Sequence, residues 1–143
     1  MAFSTRTGLK REVIKREEDG SINLDSYDFT KAVVVLNCAS NFDGRKLLNI
    51  KDLIKKVHKS DGIVIIDAAQ AMAHSSDILR GVEPDVICFS AHKLYAPSLG
   101  VIVWRDELES VLLPNWLGGG MVDDVNVNSY ILSADNKEHR FTR

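Results

Sequence analysis

Residues 62–70, Gly-Ile-Val-Ile-Ile-Asp-Ala-Ala-Gln, decide the fold that we expect for this chain of 143 residues. The four apolar residues at 63–66 predict a buried strand, because such runs are typical of sheets covered by other elements. The strand stops at Asp67, a carboxylate that is costly to place there without a partner. Since ligands of α/β sheets bind at the carboxyl ends of strands, Asp67 becomes a candidate binding residue.

Strands and helices alternate on both sides of this stretch. Upstream, residues 31–37 hold a β-branched run that suits a strand buried on both faces, and residues 47–57 place apolar side chains at helical spacing. That helix is expected to end near Ser60-Asp61-Gly62, where Gly62 can supply a left-handed cap. The other predicted elements are strands at 12–15, 85–89 and 100–104, short helices within 68–79 and 106–112, and two short strands within 122–132. This alternation predicts an α/β domain with a mostly parallel sheet.

The composition excludes several classes of function. A net charge of −2 favours neither nucleic acid nor an anionic membrane as partner. No apolar run approaches the roughly 20 residues of a membrane span, and the first residues lack an apolar signal stretch. The spacing of cysteine and histidine fits no metal site, so Cys38 and Cys88 are interpreted as buried thiols in a reducing compartment. We therefore expect a cytoplasmic protein.

Polar side chains cluster where two successive strands are predicted to end. Asp67 and Gln70 follow one strand, and Ser90, His92 and Lys93 follow the next. Alone, Asp67 is explained as a helix N-cap, Gln70 as part of a capping box, and Lys93 as a surface residue. Together they supply a carboxylate, an amide, a hydroxyl, an imidazole and an amine at one edge of the sheet. Pyridoxal phosphate requires such a set, because its aldehyde binds an amine and its cationic ring nitrogen binds a carboxylate.

These residues resemble the cofactor-binding core of the class V aminotransferases, which are pyridoxal-phosphate enzymes. The resemblance rests on Asp67-Ala68-Ala69-Gln70 and on Ser90-Ala91-His92-Lys93, and it extends over nearly the whole chain. Within the family the sequence is similar to cysteine desulfurases. Further similarities are Ser40-Asn41 with Gly44, which resembles a Ser-Asn-x-x-Gly loop, Ala73-His74 after the aspartate segment, and the glycine-rich loop at 114–121.

The resemblance implies a role for each matching residue. Lys93 would bind the cofactor covalently and carry the proton at the substrate α-carbon. Asp67 would pair with the ring nitrogen, and Gln70 would hydrogen-bond the ring hydroxyl. Ser90 and His92 would bind the phosphate. Asn41 would lie close to the cofactor and the substrate, whereas His74 is interpreted as structural, and no metal ligand is expected.

The chain departs from the family in two respects. After the lysine the family has Tyr-Gly-Pro-Thr-Gly, whereas Ala96 and Leu99 stand here where glycines are usual, and Ser98 keeps the hydroxyl. In addition, the family's phosphate loop, its carboxylate-binding arginine and its sulfur-carrying cysteine lie in segments that this chain lacks. Neither Cys38 nor Cys88 matches that cysteine, so neither is assigned a catalytic role.

The resemblance therefore implies that residues 1–143 are part of the large domain of an aspartate-aminotransferase-like fold, a three-layer α/β/α arrangement. The expected function is that of a cysteine desulfurase fragment, which removes sulfur from L-cysteine or a related amino acid for iron–sulfur cluster assembly. The full-length parent would be a homodimer that works with a sulfur-acceptor protein. The alternatives are another class V enzyme, such as an amino-acid lyase, epimerase or aminotransferase, and a non-catalytic scaffold.

Overall fold

The computed structural model describes residues 8–111, 122–127 and 129–132. The chain divides into two units, Met1–Arg105 and Asp106–Arg143. The first unit contains a four-stranded sheet and the second a two-stranded sheet. The expectation that residues 1–143 form part of one large domain stays a prediction. Among the described residues, no helix has the length and apolar character needed to cross a membrane.

The sheet of the first unit is built from strands β1 (Val33–Asn37), β2 (Ile63–Asp67), β3 (Val86–Ser90) and β4 (Gly100–Trp104). Their order in space is the order in the sequence. The first three strands are parallel, and β4 pairs antiparallel with β3. The structure therefore confirms the α/β class and the mostly parallel sheet. It also brings the carboxyl ends of β1, β2 and β3 to the same edge.

Helix α1 (Ile50–Lys59) connects β1 to β2 and covers one face of the sheet. Its buried side chains recur at helical spacing and join the buried residues of the strands in one core: Ile50, Leu53, Ile54 and Val57 from the helix with Val34, Leu36, Val64 and Ile66 from the sheet. Burying one such side chain contributes about 1.5–3 kcal/mol. Basic residues in the last turn favour the helix further, because they complement its dipole.

The turn after α1 differs from the sequence prediction. The left-handed residue is Asp61, with φ 55°, and not Gly62. Gly62 is required for another reason, because a Cβ atom there would lie 2.7 Å from Val57 Cγ1 and 2.8 Å from the carbonyl oxygen of Ala32. Its missing side chain allows α1 and the segment before β1 to approach each other closely.

The second face of the sheet is open in the described part of the chain. Val33 and Val35 are 57% and 67% exposed, whereas Val34 and Leu36 between and beside them are buried. The prediction that residues 31–37 are buried on both faces is therefore wrong for this structure. The sequence shows two apolar faces, but α1 covers only one of them.

The first unit also contains four short helical turns: η1 (Leu24–Ser26), α2 (Ala71–His74), η2 (Ser76–Leu79) and η3 (Ala91–Leu94), of which only α2 is α-helical. The predicted short helix within 68–79 is thus present as α2 and η2. The predicted strand at 12–15 is wrong, since these residues have no regular structure. No neighbouring strand among the described residues offers them a ladder of hydrogen bonds.

The second unit contains a 3₁₀ turn, η4 (Asp106–Leu108), and the strands β5 (Val122–Asn126) and β6 (Ser129–Leu132). The two strands pair antiparallel, which confirms the two strands predicted within 122–132. The helix predicted over 106–112 is reduced to η4. The glycine-rich loop at 114–121 lies outside the described residues.

Candidate functional site

The register of the sheet places the polar residues at the strand ends side by side. Asn37 is the partner of Asp67, and Asp67 is the partner of Cys88 two residues before the end of β3. The backbone N–H of Ala68 donates to the carbonyl of Cys88 at 2.8 Å, which carries the pairing past the end of β2. Since partners in a parallel sheet lie about 4.8 Å apart, Asp67 stands one strand spacing from each neighbour.

Asp67 is exposed at the end of β2 and is not the N-cap of α2. Its Oδ1 atom accepts a hydrogen bond of 2.9 Å from the backbone N–H of Ala69, which fixes the turn out of the strand. Gln70, half-buried, is the N-cap of α2 but makes no capping hydrogen bond with its side chain. The capping-box explanation of these two residues is therefore wrong. Among the described residues, no hydrogen bond to Asp67 Oδ2 is present.

Ser90 is the last residue of β3, and His92 and Lys93 lie in the tight turn η3 that follows it. Ser90 is the extended N-cap of η3 and makes no capping hydrogen bond with its side chain. His92 is exposed and Lys93 is half-buried. Helices α2 and η3 lie beside each other, so the residues after β2 and those after β3 are neighbours. The arrangement gathers a hydroxyl, an imidazole and an amine at the sheet edge that carries Asp67.

The turn after Lys93 also answers the question raised by the missing glycines. The left-handed residue of this turn is Tyr95, with φ 61°, and it closes η3 through hydrogen bonds from its N–H to the carbonyls of Ala91 and His92. Ala96 and Leu99 both have negative φ. The turn therefore requires no glycine at either position, and the two substitutions cause no backbone strain.

Asn41 lies in a separate loop, residues 38–47, which we call the Asn41 loop. It is exposed and lines a cleft of about 390 Å³ together with Arg16 and Asn37. Neither Asp67 nor Lys93 is among the residues that line this particular cleft. The loop turns at Gly44, whose φ of +72° explains why glycine is found there.

The contacts of Arg16 could not be predicted from the sequence. Its guanidinium donates to the carbonyl oxygen of Asn37, at the end of β1, and to that of Arg45 at 3.5 Å. Backbone carbonyls carry no residue-specific signal, so only the three-dimensional structure could reveal this contact.

The two cysteines lie beside Asp67 but are not activated. Cys38 is fully buried, and burial raises the pKa of its thiol to about 11. Cys88 is half-buried, and burial followed by the charge of Asp67 raises the pKa of its thiol as well. A raised pKa lowers the fraction of the reactive thiolate. Both thiols are free, and neither environment favours a nucleophile.

The donor set fits pyridoxal phosphate chemically. The ring nitrogen of this cofactor needs an anion, its phosphate needs hydrogen-bond donors, and its aldehyde needs an amine. Asp67 could hold the nitrogen, Ser90 and His92 the phosphate, and Lys93 the aldehyde carbon. Gln70 adds an amide next to this edge.

Comparisons with known proteins agree with this arrangement. The model of the family "Aminotransferase class-V" matches residues 2–142. A "Probable cysteine desulfurase" of Haemophilus influenzae is 42% identical over 96 residues, which is 66% of this chain and 22% of the relative. A "Putative csd-like protein" of the same organism is 37% identical over 112 residues, which is 77% of this chain and 47% of that protein.

A solved structure supports the same fold. The apo structure of the cysteine desulfurase from Thermococcus onnurineus NA1 is similar with a TM-score of 0.84 and 27% identity, covering 99% of this chain and 36% of that one. The aspartate-aminotransferase-like fold, inferred from the resemblance, is thereby confirmed for the part that this chain covers. The chain spans between about a fifth and a half of the length of these proteins.

Proposed function

We propose that this chain, which belongs to the class-V aminotransferase family, forms part of a pyridoxal-phosphate-dependent cysteine desulfurase. The observation that carries the proposal is the parallel pairing of β2 with β3, because Asp67 and the turn with Lys93 leave the sheet at the same edge. The relative from H. influenzae and the T. onnurineus structure both bear the name cysteine desulfurase.

In this proposal each residue at the strand ends has its own role. Lys93 binds the cofactor covalently and moves the proton at the α-carbon of the amino acid. Asp67 keeps the ring nitrogen protonated through its opposite charge. When bound, the cofactor supplies an electron sink for the substrate carbanion. Ser90 and His92 hold the phosphate, which fixes the ring relative to Lys93.

Two further residues orient the ring and the substrate. Gln70 donates to the ring hydroxyl from the turn before α2. Asn41 approaches the cofactor and the substrate from the Asn41 loop.

The proposed substrate is L-cysteine, which would lose its sulfur and leave as L-alanine. A protein thiolate must take the sulfur as a persulfide, and Cys38 and Cys88 are unsuited to this because their pKa values are raised. The acceptor cysteine therefore belongs to a segment outside this chain. For that reason we expect the isolated chain of 143 residues to release no alanine from cysteine.

The setting of the parent protein is part of the same proposal. We place it in the cytoplasm as a homodimer that passes sulfur to an acceptor protein for iron–sulfur cluster assembly. The free thiols Cys38 and Cys88 suit a reducing compartment.

The test is to trap the cofactor on its lysine. The purified chain is incubated with pyridoxal phosphate, its absorbance is recorded, and the product is reduced with borohydride and mapped by mass spectrometry. We expect a pyridoxyl label on Lys93, and its loss in Lys93→Ala. The control Lys55→Ala changes an exposed lysine of α1 and should leave the label in place. A label spread over many lysines, in a chain shown to be folded, would contradict the assignment.

A further inference from the structure

We propose that Arg16 is a positioning residue that holds the Asn41 loop against the carboxyl end of β1, beside Asp67. The inference rests on the proposed function for the role of Asn41. The contacts that carry it are independent of that function, because they join Arg16 to two parts of the backbone.

Arg16 joins segments that are far apart in sequence. It precedes β1 in a stretch without regular structure. Its Nη2 atom donates to the carbonyl oxygen of Asn37, the last residue of β1, and its Nη1 atom donates to that of Arg45 at 3.5 Å. A guanidinium can donate along two directions from one plane, so a single side chain links the strand end to the loop.

The Asn41 loop is closed at its base and needs an external contact only to fix its orientation. Ala39 and Lys46 form an antiparallel bridge, and the N–H of Leu47 donates to the carbonyl of Cys38 at 2.9 Å. The carbonyl of Arg45 accepts from the N–H of Ser40 at 2.9 Å as well as from Arg16. Arg16 therefore binds the loop at Arg45, where a backbone hydrogen bond to Ser40 already joins the two ends of the loop.

Inside the loop, short-range hydrogen bonds keep the neighbourhood of Asn41 ordered. The hydroxyl of Ser40 accepts from the N–H groups of Phe42 at 3.2 Å and Asp43 at 3.3 Å. Asp43 in turn accepts from the N–H of Arg45 at 3.2 Å. Because the loop is stiff from Ser40 to Arg45, a shift at Arg45 moves Asn41 with it.

Arg16 binds the end of β1, and this strand end lies next to Asp67, the proposed ligand of the ring nitrogen. Asn37 is the sheet partner of Asp67, and the N–H of Cys38 donates to the carbonyl of Asp67 at 3.4 Å. The position of Asn41 relative to Asp67 therefore depends on how the loop leaves β1. Arg16 sets that angle.

The charged residues around Arg16 argue against the alternative that Arg16 binds an anion in the cleft. Glu17, Asp43 and Arg45 line the same cleft, and Arg45 Nε lies 3.3 Å from Asp43 Oδ2. The two acidic and two basic side chains balance, so the cleft has no net charge to attract an anion. The directional bonds to carbonyl groups remain as the specific interaction of Arg16.

The experiment compares Arg16→Met, Arg16→Lys and the control Arg11→Met in the full-length protein. Arg11 is an exposed arginine earlier in the same irregular stretch. Hydrogen–deuterium exchange measures the opening of residues 40–45, and absorbance titration measures the affinity for pyridoxal phosphate. Thermal unfolding checks that each variant is folded.

We expect Arg16→Met to speed exchange in residues 40–45 and to weaken cofactor affinity, each by about tenfold, as the loss of two hydrogen bonds predicts. Arg16→Lys keeps the charge but has a single donor nitrogen in place of Nη1 and Nη2, so it should be intermediate, while Arg11→Met should match the wild type. Unchanged exchange in Arg16→Met would overturn the inference. Faster exchange with unchanged affinity would also overturn it, because a purely structural contact behaves in that way.

The two proposals fail differently. If the wild-type protein binds no pyridoxal phosphate, the proposed function is wrong. Hydrogen–deuterium exchange then tests the role of Arg16 by itself. Faster opening of residues 40–45 in Arg16→Met supports the proposal that Arg16 holds the loop, and unchanged opening overturns it.

Discussion

Asp85, directly before β3, connects several parts of the first unit through one carboxylate. Its Oδ2 atom accepts from the backbone N–H of Val64 at 2.7 Å and lies 2.8 Å from His58 Nε2. Arg105 Nη1 lies 3.6 Å from its Oδ1 atom. The carboxylate is buried, so these contacts are shielded from water. It ties α1, β2 and the residue after β4 together at the end of the sheet opposite Asp67.

Replacing Asp85 with alanine should therefore destabilise the first unit strongly. The buried N–H of Val64 would lose its acceptor, and we expect the free energy of unfolding to fall by about 3 kcal/mol. Urea unfolding followed by circular dichroism measures the change. The control Asp77→Ala removes an exposed ion pair with Lys46 and should cost less than about 1 kcal/mol. Equal costs for the two variants would contradict the role of Asp85.

Cys38 predicts a dependence of stability on pH. Burial raises the pKa of its thiol from 9.0 to about 11, while the charge of Arg16 opposes this and that of Asp67 adds to it. The folded state thus favours the neutral thiol. This contribution to the free energy of unfolding is complete below the unfolded pKa and is lost as the pH rises through the window from 9.0 to about 11. Urea unfolding at both ends of this window should show a loss of up to about 2 kcal/mol.

The matched variant for this experiment is Cys38→Ala, which removes the ionisable group. Its stability should change less than that of the wild type over the same pH range, and the difference isolates the thiol from the lysines. Identical profiles for the two proteins would show that Cys38 does not titrate as its burial implies.

The elements of the sheet could be predicted because their signals are local. Runs of apolar, β-branched residues gave β1 and β2 to within two residues, and the spacing of apolar residues gave α1. Residues 12–15, Glu-Val-Ile-Lys, also contain β-branched side chains, yet they form no strand, because a strand also needs a partner. Partners lie far away in sequence, and no local pattern reports whether they are present.

The same distinction explains how much of the candidate site could be predicted. The sequence places Asp67, Ser90 and Lys93 at one edge of the sheet, because they lie at or just after the ends of strands and parallel strands end at one edge. Their roles stay a prediction. Arg16 was missed because its acceptors are the backbone carbonyls of Asn37 and Arg45, 21 and 29 residues away. The burial of residues 31–37 was overestimated because hydrophobicity reports what a strand can bury and not what covers it.

At the level of the turns between elements, Gly62 offers a clear test. In Gly62→Ala the new Cβ atom would lie 2.8 Å from the carbonyl oxygen of Ala32 and 3.1 Å from that of Phe29. These are backbone atoms, so the strain cannot be relieved by rotating a side chain, and we expect a loss of about 1–3 kcal/mol. Chemical denaturation measures it.

The control for this variant is Gly100→Ala at the start of β4. A Cβ atom at that position would meet nothing within 4 Å, and its φ is not positive. Its stability should stay within about 0.5 kcal/mol of the wild type. A similar cost at both positions would mean that close packing is not what requires Gly62.

For the molecule as a whole, the open face of the sheet has the largest consequence. Val33, Val35 and Ile102 are all more than half exposed, and the register places them on one face of the sheet. Exposed apolar surface of this kind favours association. The solved structure that matches 99% of this chain is almost three times as long, since the match covers 36% of it.

We therefore expect the isolated chain to self-associate and to bind a hydrophobic dye, and the double variant Val33→Thr, Val35→Thr to do so less. Light scattering and dye fluorescence as functions of protein concentration measure both effects. The matched variant Val34→Thr changes the buried face, and should lower stability without reducing association. Association that is equal in all three proteins would exclude the open face as its cause.

The register of β2 restricts how sequences descended from this one can change in length. Side chains alternate between the faces of a strand, so losing one residue within Ile63–Asp67 would turn the aspartate to the opposite face. It would then leave the row that it shares with Asn37 and Cys88. Insertions and deletions can accumulate in the connection at residues 75–84, where the chain runs through turns. Evolution can thus vary the length of the path between the two halves of the proposed site, while the strands themselves keep a fixed count of residues.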